Sequence, residues 1–150
     1  MATNVVQRGI ASNTLIDRWQ RVCQKLEALA EEVPASQFDY RPVDGVRTFA
    51  DILRHVAFWN YYLADSARGR KDNDTANELS KEKFSIKRQV IDALKRSAED
   101  AMDALKKSSD DLSLEMAEMV VTFIEHNSEH YGQLAVYARL NGIIPPASRG

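Results

Sequence analysis

Apolar residues return every three or four positions in four stretches of the chain, and no stretch alternates as a half-buried strand would. That period predicts an all-α protein. In the first stretch, about Thr14 to Glu32, Leu15, Trp19, Val22, Leu26, Leu29 and Val33 share one face, with Arg18, Arg21, Gln24, Lys25 and Glu31 elsewhere, and Pro34 ends it. Residues 1–13 read as an N-terminal extension. The connection PASQFDYRPVDGVR holds two prolines and the turn signal Asp44-Gly45, and its aromatics Phe38 and Tyr40 predict that it packs down. Thr48 and Asp51 have capping-box spacing, with Asp in place of the usual Glu or Gln, and open a second helix to about Ala67. Its apolar face carries Phe49, Ile52, Val56, Trp59 and Tyr62 or Leu63. The polar run from Gly69 to about Leu79 reads as a mobile loop.

A third helix, about Lys81 to Lys107, places Phe84, Ile91, Leu94, Ala98, Ala101 and Leu105 on one seam, while charges of both signs cover its other faces. After a short connection from Ser108 to Leu114, the fourth helix runs from about Glu115 to Asn141. Gly142 closes it, and residues 143–150 form a C-terminal tail. Four long amphipathic helices in one 150-residue domain imply a four-helix bundle.

The stripe of the fourth helix reads Met116, Met119, Phe123, His126, His130, Gln133, Tyr137, Leu140, polar in the middle where a core is usually oily. His126 and His130, at i and i+4, lie one turn apart on the same face and can share one metal ion. The pair by itself fits hydrogen-bonded core histidines equally well. His55 changes the balance: it sits in the apolar stripe of the second helix, three after Ile52 and four before Trp59, so the chain's entire histidine complement faces the core. Three imidazoles buried without partners would cost roughly 1–3 kcal/mol for each unsatisfied group, and a divalent metal occupies three lone pairs at once. Asp51, one turn before His55, and Gln133, three after His130, are the candidate hydrogen-bond supports of these ligands. A zincin-type protease is a poorer match, because Asn127 stands where H-E-x-x-H has glutamate, and Glu125 and Glu129 precede the two histidines. Three histidines with no fourth protein ligand leave an open position, the arrangement of catalytic sites, where a bound metal activates water or a thiol.

Composition removes other classes. With 20 basic and 22 acidic residues and a pI near 5.9, nothing attracts phosphate backbones. The charged run from Asp65 to Lys107 mixes both signs around a single aromatic, Phe84, so no nucleic-acid partner is expected. No apolar window is long enough to span a membrane, and Met1 to Ile10 lacks the basic and apolar regions of a signal peptide; the expectation is a cytoplasmic protein without a membrane partner. Cys23, the only cysteine, excludes an internal disulfide and reads as a small buried hydrophobe, with a fourth metal ligand or a nucleophile as the remote alternative. Trp19 and Trp59 read as core aromatics. Tyr61, Tyr62, Tyr131 and Tyr137 flank the histidines as candidate proton donors, and Arg41 and Arg47 read as salt-bridge residues, with an anionic substrate as the alternative.

The stretch FDYRPVDGVRTFADILRHVAFWNYYLADSARG together with HNSEHYGQLAVYARLNGIIPPASRG resembles the DinB-like (DinB/YfiT) superfamily of four-helix-bundle metalloproteins, over about Leu15 to Gly150. The resemblance implies an up-down-down-up bundle that pairs into homodimers. It implies that His55, His126 and His130 form the family's triad for a divalent metal, zinc or nickel first and manganese or iron as further options. Some relatives are S-transferases or isomerases using a low-molecular-weight thiol (bacillithiol, mycothiol or glutathione), and others are described as hydrolases. The expected function is thus a metal-dependent enzyme acting on a small-molecule substrate through activated water or thiol. The alternative is a non-catalytic metal-binding stress or sensor protein of the same fold.

Overall fold

The computed structural model describes residues 2–71, 75–108 and 111–150. Four helices carry the chain: α1 (Ala2–Glu32), α2 (Phe49–Ala67), α3 (Lys87–Ser108) and α4 (Leu114–Leu140), with short 3₁₀ turns at Ala35–Gln37 and Pro146–Ser148 and no strand among the described residues. Side chains set most of the boundaries. The Thr48 hydroxyl accepts from the Asp51 N–H at 3.1 Å and the Asp51 carboxylate accepts from the Thr48 N–H at 3.2 Å, a complete capping box for α2. Ser113 caps α4 through the Met116 N–H. At its other end Gly142, with φ +76°, lets Gly142 and Ile143 donate back to Arg139 and Ala138, a Schellman closure.

Two boundaries differ from expectation. α1 begins at Ala2 rather than Thr14: residues 2–13 hold no proline, and extending an existing helix needs no new nucleus. α3 begins at Lys87 rather than Lys81, because the Gln89 side chain accepts from the N–H groups of Ser85 and Ile86 and starts the helix there. Phe84 therefore lies in the preceding turn, where it still packs against the core. Leu140, placed on the inner stripe by its spacing, is 61% exposed. Of the expected mobile loop, residues 72–74 lie outside the described residues, as do 109–110 of the last connection.

Pairing across helices fixes the topology as up-down-down-up. Along α2 and α3 the partners rise together, Arg54 with Phe84, Asn60 with Ser97 and Arg68 with Asp100, so the two run parallel. Along α1 and the α4 segment they also rise together, from Ser12 with Leu112 to Cys23 with Asn127. α2 and α4 run antiparallel, with Asn60 on Asn127 and His55 on His126. Because α2 and α3 are parallel, the connection between them must return along α2, a helix roughly 28 Å long. The Leu79 N–H donating to the Arg54 carbonyl shows that it does, and this return brings Asn77 beside His55.

The core has two apolar parts. One gathers Leu26, Leu53, Leu94 and Leu134; the other gathers Trp19, Leu63, Leu105 and Val120. Each such buried side chain contributes about 1.5–3 kcal/mol. Between the two lies a polar layer with one residue from every helix: Cys23, Asn60, Ser97 and Asn127. No helix among the described residues is long and apolar enough to cross a membrane.

Candidate metal centre

The three histidines meet beside that polar layer, where α2 and α4 cross. Spacing of four on α4 stacks His126 and His130 with ring centroids 4.6 Å apart, and the antiparallel approach of α2 sets His55 at 5.0 and 4.8 Å from them. His55 is 7% exposed, while His126 and His130 are half-buried, so the cluster sits at the edge of the core. The deepest line of α4 runs one position later, through Val120, Asn127 and Leu134.

Each Nδ1 has an oxygen acceptor, and each acceptor is oriented by a path that ends at a backbone carbonyl. His55 Nδ1 lies 2.5 Å from the Asn77 carbonyl, which can only accept, so that nitrogen carries the proton. His126 Nδ1 lies 3.0 Å from Asn127 Oδ1. The Asn127 amide nitrogen donates to Asn60 Oδ1 at 3.1 Å, the Asn60 nitrogen to Ser97 Oγ at 3.2 Å, and the Ser97 hydroxyl to the Leu94 carbonyl at 2.8 Å. His130 Nδ1 lies 3.1 Å from Gln133 Oε1; the Gln133 nitrogen donates to the Tyr137 hydroxyl, which donates to the Arg47 carbonyl at 2.9 Å. All three rings therefore hold their proton on Nδ1 and leave Nε2 as the nitrogen with a free lone pair. His55 Nε2 and His126 Nε2 stand only 3.0 Å apart, two lone pairs with no proton between them. One nitrogen from each ring lies within 4.8 Å of the others, a grouping that can hold a metal ion.

Burial pushes all three histidines below their ordinary pKa, His55 down to about 4, and the charge of Arg47 adds to the effect while the Nδ1 hydrogen bonds oppose it. Neutral imidazole is the form that ligates a metal.

Asp51 does not support His55. At the third position of α2 its carboxylate turns back to the Thr48 N–H and to Arg54, and the Asn77 carbonyl takes the place expected for it. Burial acts to raise the Asp51 pKa, but the hydrogen bonds from Thr48 and Arg54 outweigh it and hold the carboxyl below its usual range. Gln133 does face His130. Asn77, Asn60, Ser97 and Asn127 escaped the sequence reading. Asn77 gave no signal there; it holds φ +60°, a conformation Asn tolerates better than most residues, and its side chain also accepts from Trp59 Nε1 at 3.0 Å.

The site wall is aromatic. Trp59 and Phe123 lie 6.3 and 5.9 Å from the His126 ring, and Tyr62 packs on Trp59. Tyr131 lies under Lys25 Nζ, and Tyr137 serves the Gln133 path. Cys23 is buried, with burial pushing its thiol well above the ordinary range, and it accepts from Asn127. Trp19 is fully buried. A cavity of about 720 Å³ lies between Ser12 and Leu15 of α1 and the start of α4, and none of the three histidines lines it.

A DinB superfamily family model matches residues 18–134, more than three quarters of the chain and all three histidines. The chain belongs to the DinB superfamily. No curated protein matches it. As a DinB-superfamily bundle the chain joins two helices through one histidine cluster, with His55 buried and His126 and His130 half-buried.

Proposed function

We propose that the protein is a metal-dependent enzyme in which His55, His126 and His130 bind one divalent cation, zinc or nickel, through Nε2 and act on a small molecule through water or a thiol. What supports this reading is the grouping of three neutral imidazoles, one nitrogen of each within 4.8 Å of the others, with every Nδ1 proton already taken by an oxygen. The donor set suits a borderline cation, since imidazole favours zinc, nickel, copper and iron over magnesium or calcium. Bound there, a divalent ion supplies Lewis-acid chemistry, lowering the pKa of a water or thiol at its open position. The chain's own part is orientation and exclusion of water: Asn77, Asn127 and Gln133 fix the rings, and Trp59 and Phe123 line the approach.

Elemental analysis of purified protein beside His126→Ala tests the reading. One equivalent of metal in the wild type and none in the variant is expected; wild type that refuses both zinc and nickel contradicts it. A screen of thiols with an electrophile, and of model esters and amides, then tests the chemistry. Metal binding with no turnover in either screen would assign the protein to metal or stress sensing instead.

A further inference from the structure

Among the described residues, arginines with well-covered side chains have carboxylate partners, with one exception. Arg54, 2% exposed, pairs with Asp51; Arg68, 30% exposed, pairs with Asp65 and Asp100. Even exposed Arg41 approaches Asp44 at 3.8 Å. Arg47 is half-buried and pairs with no carboxylate among the described residues. Its backbone is locked to the histidine cluster: the Arg47 carbonyl holds the Tyr137 hydroxyl, which holds Gln133, which faces His130. Arg47 also immediately precedes Thr48, the cap of the helix that carries His55.

We infer that Arg47 is the anion-recognition residue of this centre, and that the small molecule acted on carries a carboxylate that pairs with the Arg47 guanidinium while another of its atoms faces the metal. The inference rests on the metal-binding reading above. Three neutral imidazoles and a divalent ion leave a net charge of two, and Arg47 makes it three. No carboxylate among the described residues hydrogen-bonds any of the three histidines, and the acid whose charge reaches His126 and His130, Glu129, is exposed. Such a concentration of positive charge draws anions. Half-buried and without a carboxylate among the described residues, the guanidinium can take a ligand, and a carboxylate offers it two parallel charge-assisted hydrogen bonds. The Arg47 backbone, tied through Tyr137 and Gln133 to His130, starts the side chain beside the cluster, and its charge acts on all three rings. Arg41, in the same connection, is more exposed and lacks this link to the cluster.

The test uses the full chain loaded with cobalt(II) and two probes that share a thiol, 3-mercaptopropionate and 2-mercaptoethanol, followed by thiolate-to-cobalt absorption. The wild type is expected to prefer the carboxylate-bearing thiol by about tenfold or more. In Arg47→Gln the preference should fall to within about twofold while cobalt stays at one equivalent per chain, and Arg47→Lys should restore part of it, since a lysine offers charge without the bidentate fork. An unchanged preference in a cobalt-loaded Arg47→Gln overturns the inference alone. Loaded wild type that binds neither thiol, or both equally, does the same. Wild type that takes up no cobalt overturns the metal reading and this inference with it.

Discussion

The layer of Cys23, Asn60, Ser97 and Asn127 and the cluster of His55, His126 and His130 lie side by side, joined by the 3.0 Å contact between Asn127 and His126, and they handle buried polarity in opposite ways. In the layer the Asn127 and Asn60 amides and the Ser97 hydroxyl each find an acceptor, and the chain of hydrogen bonds closes on the Leu94 carbonyl. In the cluster the same accounting leaves three Nε2 lone pairs without a proton, those of His55 and His126 facing each other at 3.0 Å. Polar residues in a bundle core do not by themselves mark a site. What distinguishes one is acceptor capacity left over once every proton has been assigned, and here that remainder has the form of a cation site.

Substitutions can break the contrast, beginning with the ligands. His126→Ala should weaken zinc binding by more than about 100-fold, beyond the roughly 10–100-fold typical of supporting residues, as measured by competition with a chromogenic chelator. Gln133→Ala should fall within that range of about 10–100-fold, because it removes the acceptor at His130 Nδ1 without touching Nε2. Equal losses in the two variants would mean that His126 is not a ligand. Asn127→Leu should lower stability in urea by roughly 1–3 kcal/mol for each polar group it leaves unpaired, and should weaken zinc as well; Ser97→Ala should lower stability and spare zinc. If both variants spare zinc, the layer does not orient the site.

The smallest expected effect concerns acid. In the metal-free protein the histidine pKa values lie below 6.5, so as pH falls the unfolded chain takes up protons before the folded chain does. The histidine contribution to stability should therefore decline from about pH 6.5 downward and be spent near pH 4 as His55 reaches its folded pKa, below which the loss passes to carboxyls such as Asp51. Urea midpoints across that range would show it, and a midpoint that rises on acidification would contradict buried neutral imidazoles.

The helices and the three histidines were legible because both depend on local spacing: a 3.6-residue period places Ile52, His55, Val56 and Trp59 together, and an i,i+4 step pairs His126 with His130. The supports of the site were legible only where they shared a helix with their ligand, as Gln133 does with His130. Asn77 reaches His55 through a returning connection 22 residues away, and nothing in its neighbours signals that path. Asn127 gave a fainter sign, a polar residue at heptad spacing between Val120 and Leu134, all three fully buried. Asp51 misled because a carboxylate one turn from a histidine can equally serve its own helix start, and the capping box with Thr48 claims it. Arg47 reads from sequence as a salt-bridge residue; only the fold shows that it has no carboxylate partner among the described residues.

X-ray absorption at the zinc edge of the loaded protein tests the central claim most directly. Three imidazole nitrogens at about 2.0–2.1 Å with one further light ligand are predicted. Fewer than three imidazoles, or a sulfur ligand from Cys23, would contradict the site described here.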